Sequence, residues 1–151
     1  MPSKSPRVAV RAIIVHDGHL LLVNAWPDGK SDLMCAPGGG VETGSSLPEN
    51  LAREVYEETG LRIEVGAPCM VNEFHDPRIG FHQVEIFFRC SIAGNANISS
   101  EWRDPEDIVD RHIWVTEAGS ETVRVKPDGL KAIAFAQPGA VTYDPLETIV
   151  M

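Results

Sequence analysis

Between residues 37 and 61 the chain reads PGGGVETGSSLPENLAREVYEETGL, and this stretch constrains the fold more tightly than any other. Gly38, Gly39, Gly40 and Gly44 open it. Glycines allow backbone conformations closed to other residues, and they let the main chain come close to a ligand. From residue 46 the pattern becomes that of an amphipathic helix, with Leu47, Leu51 and Val55 as its apolar stripe. Ser46 is the natural N-cap, Glu49 stands three residues on, and Gly60 supplies the stop. The spacing therefore predicts a helix over 46–59, entered from a glycine-rich loop.

Three of the helix's acidic residues, Glu54, Glu57 and Glu58, have the i, i+3, i+4 spacing of a shared face. At about 100° per residue, Glu58 lies almost directly above Leu51. Glu54 and Glu58 thus border the side that faces the protein, and Glu57 sits further round toward the glycines. A solvated acidic face would lie opposite the apolar stripe instead. The position is also unfavourable electrostatically. A helix C-terminus carries partial negative charge, and like charges one turn apart repel. Arg53 supplies one compensating charge. A divalent cation offsets the remainder, and hard carboxylate oxygens on a rigid helix suit Mg²⁺ or Mn²⁺, ions that also take phosphate oxygens. A main-chain carbonyl from the glycine run could join the ion's shell. Alone, the run reads as a plain turn; directly before Arg-Glu-x-x-Glu-Glu it gains meaning.

The rest of the chain frames this motif. Its 151 residues suit one domain, 1–151. The patterns at 7–15 and 19–25 predict strands joined at Asp17-Gly18, and a third short strand is expected over 32–36. Further strands are expected over 62–74, 82–92 and 111–116, and a final helix over 127–137; the segment after 138 has no clear pattern. The net charge of −9 excludes an extended nucleic-acid surface or a broad contact with anionic membrane. No run approaches the roughly 20 apolar residues of a membrane helix. Cys35, Cys69 and Cys90 are odd in number and lack zinc spacing, so reduced thiols and a cytoplasmic location are expected.

The same stretch resembles the signature box of the Nudix hydrolases: Gly, five residues, Glu, seven residues, Arg-Glu, an aliphatic residue, any residue, Glu-Glu, any residue, Gly, an aliphatic residue. Here it starts at Gly39 and runs through Arg53, Glu54, Val55, Glu57, Glu58 and Gly60 to Leu61. One position departs, because Ser45 stands where the box has its first glutamate. In the family that glutamate supports the box arginine, and Glu42 is the nearby candidate to replace it. The resemblance implies an α/β/α sandwich around a mixed sheet. It also implies metal-assisted, in-line attack of water on a nucleoside diphosphate linked to another group. Glu54, Glu57 and Glu58 would hold the ions, with a carbonyl of Gly39, and Arg53 would keep a carboxylate in place. The family often forms dimers, so a homodimer is one expected assembly.

Four more residues are candidates. Glu85 lies in an otherwise apolar strand and is a further candidate ligand or base; a solvent-facing strand residue is the competing account. Glu101 and Glu106 lie in a polar segment, near where some family members carry a catalytic glutamate. Arg11 interrupts an apolar strand and is a candidate phosphate contact, against an edge or surface position. Trp26, Phe74, Phe81 and Trp102 lie in or beside the expected loops, where any of them could stack on a base or pack on its own domain, and none is assigned a role. The second functional reading is a nucleotide sensor without turnover, which Ser45 favours.

Overall fold

The computed structural model describes residues 5–151. Alternating Val, Ile and Leu build the first hairpin from β1 (Arg7–His16) and β2 (His19–Asn24), which turn at Asp17 and Gly18 with φ of 50° and 74°. β3 is only Met34–Cys35, shorter than the expected 32–36. The glycine run is not a loop. Gly38–Gly40 forms β4, antiparallel to β1 with Val10 opposite Gly39. A Cβ on Gly38 would collide with the main chain of Val10 and Arg11, and its φ is 151°. Glycine is therefore required there for two backbones to meet.

Helix α1 (Leu47–Thr59) matches the expected span. The Ser46 side chain accepts the Glu49 N–H, and Gly60 ends the helix at φ 77° with its N–H on the Tyr56 carbonyl. β5 (Ile63–Asp76) and β6 (Phe81–Ile92) form a long antiparallel pair, irregular around Pro68. β7 (His112–Val115) pairs with β2. Two short helices follow, α2 (Glu117–Ser120) and α3 (Leu130–Phe135). α3 is shorter than the expected 127–137, because a turn closed by Leu130 N–H on the Pro127 carbonyl occupies its start. The segment without a sequence pattern supplies β8 (Thr142–Thr148), parallel to β5.

The sheet runs β3-β2-β1-β6-β5-β8, with β4 also on β1 and β7 also on β2. Parallel β1–β6 and β5–β8 pairs among antiparallel ones make it mixed. Alternation along the strands sends side chains to two cores. Ala12, Ile14, Leu21 and Phe88 pack with Leu51 and Val55 of α1. Ile13, Leu20, Leu22 and Phe87 pack with Leu130 and Ala134 of α3. One helix on each face gives the expected α/β/α arrangement. No helix among the described residues is long and apolar enough to cross a membrane.

Candidate active site

The acidic face of α1 is aimed by the apolar stripe. Leu51 and Val55 are fully buried, and Glu54 and Glu58, which flank them, are only 6% and 8% exposed. Glu57 is turned outward and half-buried. Glu58 faces β4, where its Oε1 accepts the Gly38 N–H at 2.9 Å. Burial pushes its carboxyl up to about 8, reinforced by Glu54 and Asp104 and opposed by Arg11 and the Gly38 N–H. Burial also raises the Glu54 carboxyl; Arg53 opposes this, while Glu106 and Glu57 add to it. The Glu54 carboxylate lies against Gly39, where an added Cβ would come within 2.5 Å of Oε2. The glycine run thus serves as a seat for carboxylates.

The group of oxygens that converge differs from the expected set. Glu54, Glu57 and Glu106 each offer an oxygen within 4.8 Å of the others. Glu58 lies outside this group because, stacked over Leu51, it is drawn toward β4. Glu106 arrives from the segment between β6 and β7. That segment is shaped by Asp104, whose buried carboxylate accepts the N–H groups of Glu106, Ile108 and Val109. Glu101 is exposed and stands apart from the cluster. Gly39 is paired with Val10, and the flanking bonds Ala12 N–H to Pro37 O and Val41 N–H to Val8 O make theirs a hydrogen-bonded position. The second lone pair of the Gly39 carbonyl remains for another partner.

Arg53 is the hub of the exposed half. Its Nη1 lies 3.1 Å from Glu54, 3.5 Å from Glu57 and 3.6 Å from Glu42. Its Nη2 donates to Asn50 Oδ1 at 2.9 Å. Burial works against its charge, but Glu54, Glu42 and Glu57 outweigh it and raise its pKa. Asn50, which sequence reasoning passed over, also accepts the Glu42 N–H and donates to the carbonyls of Ser45 and Ser46. The Ser45 position is thus bridged through its backbone.

Arg11 and Glu85 form a second, inner pair rather than lying at an edge or in solvent. Arg11 Nε meets Glu85 Oε2 at 2.6 Å, and Arg11 Nη1 also reaches the carbonyls of Ala36 and Gly38. Glu85 is 4% exposed and accepts from Gln83 as well. Glu85 is therefore engaged internally with Arg11 and Gln83, outside the Glu54–Glu57–Glu106 group. A cavity of about 550 Å³ joins the two regions, running past Glu54, Glu58 and Glu106 to Arg11, Glu85 and the paired rings of Phe74 and Phe81. Trp102 packs on α1 instead, with Nε1 on the Glu57 carbonyl at 2.8 Å. Trp26 lines the cavity with its Nε1 on the Val150 carbonyl. Cys35, Cys69 and Cys90 are free thiols, and burial pushes Cys35 up to about 12 against the pull of Arg11.

The oxygens of Glu54, Glu57 and Glu106 suit a hard divalent cation by their chemistry and closeness. A family profile described as NUDIX domain matches residues 5–129. A "MutT-like protein" of Streptomyces ambofaciens is 31% identical over 111 residues, covering 69% of this chain and 68% of that protein. An "ADP-ribose pyrophosphatase" of Methanocaldococcus jannaschii is 34% identical over 89 residues, covering 59% of this chain and 53% of that protein, so the chain spans about half of it. Among solved structures, a MutT NUDIX hydrolase from Burkholderia pseudomallei shares the fold with a TM-score of 0.71 at 21% identity, covering 88% of this chain and 100% of that one.

Proposed function

The chain belongs to the NUDIX family, and from that membership we propose that it is a Mg²⁺- or Mn²⁺-dependent pyrophosphohydrolase of a nucleoside diphosphate linked to another group. The observation that carries this reading is the convergence of Glu54, Glu57 and Glu106 oxygens beside a cavity of about 550 Å³. A bound divalent ion would neutralise the diphosphate and lower the pKa of the attacking water. In line with the bridging oxygen, that water would form a new P–O bond at one phosphorus as the P–O bond to the bridge breaks. The chain's own side chains fit the surrounding tasks. Glu54, Glu57 and Glu106 would hold the ion, and the carbonyl of Gly39, a residue that lies against Glu54, would be the main-chain candidate to join them. Arg53 holds Glu54 and Glu57 in register through charge-assisted hydrogen bonds. Glu58, hydrogen-bonded to Gly38, ties α1 to β4 and so fixes the distance between carboxylates and glycines.

The relatives' printed names make ADP-ribose the first substrate to try. A cytoplasmic setting, a single Nudix-like domain over 1–151 and a homodimer belong to the same proposal. The test is product release from ADP-ribose, oxidised nucleoside triphosphates, dinucleotides, dinucleoside polyphosphates and capped RNA, each with Mg²⁺ and with Mn²⁺. Glu57→Gln should lower turnover by more than about 100-fold, since even partners of metal ligands cost 10- to 100-fold. Ser45 favours the second reading, a sensor; tight binding of a nucleotide from that panel with no product at any metal concentration would establish it.

A further inference from the structure

We propose that Trp102 is a positioning residue for the acidic cluster: its indole N–H, bonded to the main-chain carbonyl of Glu57, docks the 99–111 segment so that Glu106 reaches Glu54 and Glu57. The inference rests on the reading of that cluster as the divalent-ion site. Three contacts define the dock. Trp102 Nε1 donates to the Glu57 carbonyl at 2.8 Å. That carbonyl belongs to the last turn of α1, where helix oxygens lack intrahelical partners, and no basic side chain stands in that turn. The indole meets the Tyr56 ring edge-on, with centroids 5.2 Å apart. It also covers Gly60, where an added Cβ would lie 2.9 Å from Trp102 Cε3.

The segment behaves as one piece with two pins. Inside it, Asp104 ties together the amides of Glu106, Ile108 and Val109. At its far end, buried Asn24 on β2 accepts the N–H groups of Asp110 and Arg111 and donates to the Ile108 carbonyl. At its near end, the Trp102–Glu57 bond is the one hydrogen bond between segment and α1 among the described residues. Glu106 is repelled by Glu54 and Glu57 at this range. Without the near pin, the segment is free to pivot about Asn24, and the repulsion carries Glu106 away. The same carbonyl belongs to Glu57, so the dock is tied to a member of the cluster it completes.

The experiment uses the full chain and reads metal directly. Mn²⁺ binding is followed by electron paramagnetic resonance, and ADP-ribose hydrolysis is measured alongside, in the wild type, Trp102→Phe, Glu106→Gln and the double variant. Phenylalanine keeps the apolar ring and removes the N–H. The expected result for Trp102→Phe is Mn²⁺ binding weakened about 10-fold and kcat reduced by a similar factor, with KM nearly unchanged. Glu106→Gln should lose at least as much, and the double variant should be no worse than Glu106→Gln alone. Wild-type Mn²⁺ affinity in Trp102→Phe or in Glu106→Gln would overturn the proposal, as would losses that multiply in the double variant. Should Trp102→Phe fail to fold, benzothienylalanine at position 102 preserves the ring shape while deleting the donor, and the same criteria apply. A wild-type chain that binds Mn²⁺ but leaves ADP-ribose intact defeats the activity on that substrate, while the Mn²⁺ titration still decides the role of Trp102. A wild-type chain that takes up no Mn²⁺ overturns both.

Discussion

Arg53 is held from two sides, by carboxylates on one and by a neutral amide on the other. Glu42, the candidate for the missing box glutamate, does stand beside it, but at 3.6 Å and exposed, whereas Asn50 is buried and bonded at 2.9 Å. A charge pair in solvent contributes little, while a buried amide with its oxygen and both nitrogen hydrogens engaged is costly to remove. Asn50→Ala should therefore raise the Mg²⁺ concentration for half-maximal turnover more than Glu42→Gln does. It should also lower the free energy of unfolding by about 1–3 kcal/mol, read from urea midpoints. If Glu42→Gln has no effect at all on the Mg²⁺ requirement, the idea that Glu42 substitutes for the box glutamate fails. At this scale the helical carboxylates were legible because their spacing is local. Asn50 was not, since one asparagine on a helix announces nothing until its partners are in place. The Arg11–Glu85 pair joins residues far apart in the chain, and no local pattern encodes that meeting.

Among the elements, α1 was the most readable, because its period, its cap and its stop all agreed. Ser46→Ala removes the cap bond to Glu49 and should cost about 1 kcal/mol in a denaturant titration. β4 was hidden by its composition. Three consecutive glycines have no side chains to alternate, so the ladder with β1 shows only in three dimensions. Gly38→Ala should cost at least about 1–3 kcal/mol from the backbone conformation alone, with the collision against β1 added. It should weaken metal binding as well, because the collision would displace the amide that holds Glu58 and ties α1 to β4. β8 was unreadable for another reason: most of its residues are exposed and Pro145 interrupts it, so neither alternation nor continuity marks a strand.

For the whole molecule, the net charge of −9 is unevenly distributed, with the buried carboxyls of Glu54, Glu58, Glu85 and Asp104 all lining the one cavity. Glu58 is raised to about 8 in the folded chain against an ordinary 4.5, and Glu54 is raised too. The folded state therefore binds more protons than the unfolded one between those values, so stability is greatest at the acidic side and falls as pH rises through the window. With metal chelated, the melting temperature should decline from about pH 5 to about pH 8, and Glu58→Gln should flatten that decline. Mg²⁺ should restore stability at the alkaline side if it binds the folded form alone. The mixed sheet and its two helical layers were foreseeable from the family resemblance that the Gly39–Leu61 stretch carries, while the cavity that links β4 to Phe74 and Phe81 emerges only from the closed assembly. The bond from the Gly38 amide to Glu58 has one more use. Glu58 senses its acidic neighbours, and the amide senses Glu58, so a single nitrogen–proton resonance inside the sheet should shift whenever an ion arrives next door, turning a structural tie into a native spectroscopic gauge of occupancy.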